Sequence, residues 1–122
     1  MQKLYIVRHG KTDWNVQGLM QGSIDISLNE EGIEQAKELS KMIDLSKIDI
    51  CICSPLKRAK ETAELIVGNK KKIIYDELLL ERGFGDYEGK KVDFDLIFKQ
   101  WDYKLNDKEG NIESIRDCLA RA

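Results

Sequence analysis

Hydrophobic positions in this chain follow two rhythms, one alternating and one helical. Residues 3–7 form a short apolar run that predicts a strand, and residues 48–53, Ile-Asp-Ile-Cys-Ile-Cys, alternate in a way that predicts a second. Residues 72–75 predict a third. Helical spacing fills the gaps. Ile33, Ala36, Ser40 and Ile43 make one stripe over residues 30–43, with Asn29 as N-cap. Ser54 as N-cap, Pro55 at the first helical position and Gly68 just past the end delimit a second helix, whose inward positions are Leu56, Ala59, Ala63 and Ile66.

A third helix is predicted over 94–105. Its stripe of Phe94, Ile97, Phe98, Trp101 and Leu105 is read as a core face rather than a membrane or partner face. Residues 111–122 read as the opening turns of a further helix with no Gly, Asn or Pro terminator, so the domain is expected to be cut short at its C-terminus. Strands alternating with helices predict an α/β domain with a mainly parallel sheet, and residues 1–122 are read as one domain.

Composition narrows the function classes. With 42% hydrophobic and 34% charged residues in 122, the chain has enough apolar material for a core. A formal charge of -2 supplies no overall field for nucleic acid or membrane, so neither is expected as a partner. No stretch resembles a secretory leader or a membrane span. Cys51, Cys53 and Cys118 lack metal-ligand spacing and are read as buried or half-buried free thiols of a reducing cytoplasm. Asp93 and Asp95 are read as a solvated helix start, not a metal pair, and no cofactor is expected.

The chemistry lies at two strand ends. In open α/β sheets ligands gather beyond the carboxyl ends of strands. The strand at 3–7 runs into Arg8-His9-Gly10, and the strand at 48–53 runs toward Lys57-Arg58 in the first turn of a helix. Neighbouring strands would place His9 and Arg58 on one crevice, where helix N–H groups favour an anion. Gly10 is expected to clear the approach of a ligand. Arginine forks suit a phosphoryl group, and Asn15 and Gln21 add neutral donors. A phosphate site holding the only histidine of the chain is the result.

Four blocks in order carry a resemblance: Arg8-His9-Gly10-Lys11-Thr12-Asp13-Trp14-Asn15; Gln21-Gly22-Ser23-Ile24-Asp25 with Leu28, Gly32, Gln35 and Ala36; Ser54-Pro55-Leu56-Lys57-Arg58-Ala59 with Thr62-Ala63; and Leu80-Glu81-Arg82-Gly83-Phe84-Gly85-Asp86-Tyr87-Glu88-Gly89, with a weaker echo at Glu113-Ser114. This set resembles the histidine phosphatase, or phosphoglycerate mutase-like, superfamily. The resemblance implies a three-layer αβα fold. It implies His9 as the nucleophile and Arg8 and Arg58 as holders of the phosphoryl oxygens. Asn15, Gln21 and Gly22 would assist binding, and Glu81 would serve as acid and then base. Neither metal nor cofactor is implied.

Gln21-Gly22 looks like the phosphatase branch, so phosphomonoester hydrolysis of a small phosphorylated metabolite is expected. Sugar phosphates, phosphoglycerates and α-ribazole phosphate all fit. A phosphoglycerate mutase is the alternative within the family. The family's second histidine, in a Ser-His-Gly context, has no counterpart after His9. A non-catalytic phosphate-binding or interaction module, homo-oligomeric through an open sheet edge, is therefore a further alternative.

Overall fold

Side-chain caps set most of the helix starts in the computed structural model, which describes residues 2–122. Thr12 opens α1 (Asp13–Gln17) with a capping box in which Thr12 and Asn15 bond each other's backbone N–H groups. The sequence reading contains no helix there. Asn29 opens α2 (Glu30–Met42) as expected, its Oδ1 accepting from Gly32 N at 2.8 Å. β1 (Cys51–Cys53) follows, then α3 (Lys57–Val67), β2 (Ile73–Tyr75), α4 (Phe94–Gln100) and α5 (Ile115–Arg121). Short 3-10 turns at Leu45–Lys47, Glu77–Leu79, Gly85–Tyr87 and Glu109–Asn111 link them.

β1 and β2 pair in parallel, with Cys51 opposite Ile73 and Cys53 opposite Tyr75. α3 is the crossover between them, the arrangement parallel strands require. Leu28, Ala36, Cys53, Leu56, Ala63, Ile66 and Val67 are buried where α2, α3 and β1 meet. A smaller buried group, Phe84, Ile112 and Ile115, lies along the second half of the chain. The α/β class and the parallel sheet agree with the sequence reading. All three cysteines are free thiols, Cys53 buried and the others half-buried, and burial pushes the Cys53 thiol up to about 11.

Four expectations need correction. Residues 3–7 form no strand: Leu4 and Ile6 are 84% and 87% exposed, and no backbone ladder ties the segment to β1. A strand is a pairing, and apolar composition alone does not create one. The second helix begins at Lys57, with Leu56 in the cap position and not Ser54. Its cap comes from another loop, because Asp25 Oδ1 accepts from Lys57 N at 2.6 Å. Gly68 ends this helix as expected, at φ 51°.

The helix predicted over 94–105 stops at Gln100, and its stripe does not pack inward. Phe94 and Phe98 are 73% and 75% exposed, and Trp101 and Leu105 are also exposed. Two turns are too short to carry the whole stripe, and the face of α4 that turns inward buries Gln100. Asp93 is an N-cap, accepting from Asp95 N and Leu96 N, as the helix-start reading expects. Among the described residues no helix is long and apolar enough to cross a membrane.

Candidate functional site

His9 follows the unpaired segment at 3–7, so its position comes from the residues after it. Gly10 N donates to Thr62 Oγ1 at 3.1 Å, and Thr62 Oγ1 donates to Arg58 O at 2.7 Å. This relay fastens the turn bearing His9 to the first turns of α3. Gly10 is buried, and a Cβ there would overlap the backbone of Gly32. Its lack of a side chain therefore serves the packing of the turn on α2, not the approach of a ligand as the sequence suggested. Gly32 is confined in the same way by the Lys11 backbone.

The imidazole is half-buried, and its Nδ1 lies 2.6 Å from Gly10 O. A carbonyl only accepts, so Nδ1 carries the proton and the Nε2 lone pair is left free. Burial is the main force holding the His9 pKa below its ordinary 6.5. Arg58 and Arg8 add positive charge that lowers it further, while the Gly10 carbonyl and Glu81 oppose them. His9, Arg8, Arg58 and Glu81 thus share one electrostatic environment.

The consequence is measurable because the chain has one histidine. A single imidazole resonance should titrate below pH 6.5 in the folded protein. The folded form then binds its proton less readily than the unfolded chain, so this group's contribution to stability is lost as pH falls from 6.5 through the folded value. NMR titration checks this, and a midpoint at or above 6.5 would contradict the arrangement.

Arg58 is 2% exposed, and its role differs from that of a free phosphate fork. Its NH1 donates to Ile24 O at 2.7 Å and its NH2 to Gly22 O at 2.6 Å. The guanidinium thereby shapes the loop at residues 21–25. Burial lowers its pKa, with Glu81, Asp25 and Glu88 opposing as negative neighbours. Gly22 sits at φ 56°, and a Cβ there would overlap the Glu88 carboxylate. Glu88, to which the sequence reading gave no role, accepts from Ser23 N at 2.8 Å and Phe84 N at 3.0 Å. It ties the loop at 21–25 to the segment that carries Glu81.

Asn15 and Gln21 converge on Thr12. Asn15 Oδ1 accepts from Thr12 N at 2.9 Å, and Gln21 Oε1 accepts from Thr12 Oγ1 at 2.7 Å. With their carbonyl oxygens engaged, the amide nitrogens remain as donors. Thr12 itself is fully buried, and its position between two quoted residues was the signal that could have found it. Arg8 and Glu81 are exposed, and neither enters an ion pair among the described residues. Also among the described residues, no group of three His, Cys, Asp or Glu side chains is placed to hold a metal ion.

His9 thus feels the charges of Arg58, Arg8 and Glu81. Against known proteins, the profile described as histidine phosphatase superfamily (branch 1) matches residues 4–122. The chain belongs to that superfamily. It is 42% identical over 92 residues to a protein named as a probable phosphatase in Schizosaccharomyces pombe, a match covering 74% of this chain and 44% of that one. It is 44% identical over 90 residues to a Bacillus subtilis protein named uncharacterized phosphatase PhoE, covering 73% of this chain and 47% of that one. Among solved superfamily structures, the α-ribazole phosphatase of Shigella flexneri superposes with a TM-score of 0.76 at 32% identity, over 94% of this chain and 60% of that one. The match therefore spans less than half the length of these two curated relatives. The fold is that of the phosphoglycerate mutase-like phosphatases.

Proposed function

We propose that this chain carries the phosphoryl-transfer site of a phosphomonoester hydrolase acting on a small phosphorylated metabolite through phosphohistidine. The observation that carries the reading is His9, whose Nδ1–H is bonded to Gly10 O, leaving Nε2 free on a ring that feels the charges of Arg58, Arg8 and Glu81. Nε2 donates its lone pair to phosphorus as the bond from phosphorus to the ester oxygen breaks. Glu81 acts as the general acid that delivers a proton to that leaving oxygen. Water then attacks the phosphohistidine while the Glu81 carboxylate takes a proton from it, the P–N bond breaks, and inorganic phosphate leaves.

The arginines divide the electrostatic work. Arg8, exposed, grips the non-bridging oxygens directly. Arg58 contributes its fixed charge and holds the loop of Gln21 and Gly22 in place. Asn15 and Gln21 donate through their amides. Hydrolysis rather than mutase chemistry is supported by Gln21-Gly22 and by the phosphatase names of the relatives in fission yeast and Bacillus subtilis.

Acid–base stability of a trapped label tests the reading. Incubation with a 32P-labelled phosphomonoester followed by rapid quench should leave phosphate on His9 that survives base and is lost in acid. A chain that binds phosphate but never acquires this label is a phosphate-binding module, and the hydrolase reading fails.

A further inference from the structure

Among the described residues no hydrogen bond or ion pair fixes the Glu81 carboxylate, so its position depends on the backbone that carries it. That backbone is gripped from both sides by one ion pair near the end of the chain. Arg121 NH1 donates to Leu78 O at 2.9 Å, ahead of Glu81. Behind it, Gly83 N donates to Glu113 Oε2 at 3.1 Å, Glu113 N donates to Gly83 O at 2.8 Å, and Arg82 Nε donates to Glu113 O at 2.8 Å. The two grips are joined, because Arg121 Nε donates to Glu113 Oε1 at 2.6 Å and its NH2 to Oε2 at 2.9 Å. This bidentate pair runs from the residue before the α5 cap to the last turn of α5.

The neighbouring side chain reinforces the grip. Arg82 is buried, its guanidinium 5.4 Å from the Phe84 ring centroid and 5.2 Å from that of Trp101. Position 82 is thereby pinned inward while Glu81 remains exposed. The bond from Arg121, more than any other influence, holds the Glu113 carboxyl below the usual carboxylate range. The clasp is therefore charged and intact at neutral pH.

We propose that Glu113 and Arg121 are positioning residues that set where the Glu81 carboxylate stands during proton transfer. The proposal rests on the phosphatase reading above and adds a function for α5. A misplaced general acid matters most when the leaving oxygen is basic and needs a proton, and matters little when it leaves as a stable anion. Misplacement by about 1 Å costs on the order of 100-fold.

Leaving-group dependence and hydrogen exchange together test the clasp in Glu113→Gln and Arg121→Gln. With an alkyl phosphate, kcat/KM, which reports phosphoryl transfer to His9 and not the shared hydrolysis of phosphohistidine, should fall by about 10- to 100-fold in either variant. With p-nitrophenyl phosphate the fall in kcat/KM should stay within about threefold, because that leaving group needs little protonation. The double variant should be no slower than the worse single one, since both break one pair. Amides of residues 78–83 should exchange faster in both variants while those of α2 and α3 do not.

Equal losses on the two substrates, or unchanged exchange at 78–83, would overturn the proposal. A wild-type chain with no labelled His9 would instead sink the phosphatase reading, and the dependent role for the clasp with it. In that case the exchange data would still report whether the ion pair holds the loop.

Discussion

Replacing His9 with alanine should take phosphomonoester hydrolysis to background and abolish the acid-labile label, with little effect on folding. A lost covalent nucleophile costs on the order of 10⁴–10⁶ in rate, because the arginines that remain can bind phosphate but form no intermediate. The small folding effect follows from the contacts of His9. The ring is half-buried, and its hydrogen bond goes to the carbonyl of the very next residue, so no distant element loses a partner. Gly10 N keeps its bond to Thr62, and the relay to Arg58 remains. Steady-state kinetics and a denaturation curve on one preparation check both halves. A variant that keeps more than about one part in a hundred of the wild-type rate would remove His9 as nucleophile. A large shift in the unfolding midpoint would contradict the local account of its contacts.

Which parts of this fold could be read in advance depended on where their causes lie along the chain. Asn29 caps its own helix and Gly68 ends its own, so neighbouring residues suffice to place both. The parallel pairing of β1 and β2 followed from alternation around an intervening helix. Errors came where the cause is remote. Asp25 caps α3 from 32 residues away, and no local signal at Ser54 or Pro55 reveals it. The run at 3–7 has the composition of a strand but finds no ladder partner among the described residues. The aromatic stripe near residue 98 predicts a core face because its period fits a helix, yet the period says nothing of what that helix meets.

The candidate site shows the same division. Its residue types could be assembled from the motifs, but their mutual dependencies could not. Gly10 was read as space for a ligand and is instead space for Gly32. Thr62, Glu88 and Glu113 bond groups far away in sequence, and each draws its meaning only from the fold.

Arg58 is where fold and chemistry depend on one side chain, so its replacement should damage both. Arg58→Met removes the donors to Gly22 O, in a buried bond, and to Ile24 O, in a partly buried one. Each unsatisfied buried acceptor costs about 1–3 kcal/mol. Removing the guanidinium also removes the desolvation that lowers its own pKa, which offsets part of the loss. A net destabilisation of about 2–4 kcal/mol is expected, which at typical urea slopes moves the midpoint by roughly 1–2 M. The charge loss has a separate readout. Without Arg58 beside it, His9 should titrate closer to its ordinary value, because one of the two cations lowering it is gone. Arg58→Lys keeps the charge but cannot span two carbonyls with a planar fork. It should therefore hold the His9 titration low while still losing stability and activity. If Lys restored the midpoint fully, the loop at 21–25 would not depend on the fork; if Met left the His9 titration unmoved, Arg58 would not be part of the electrostatic site.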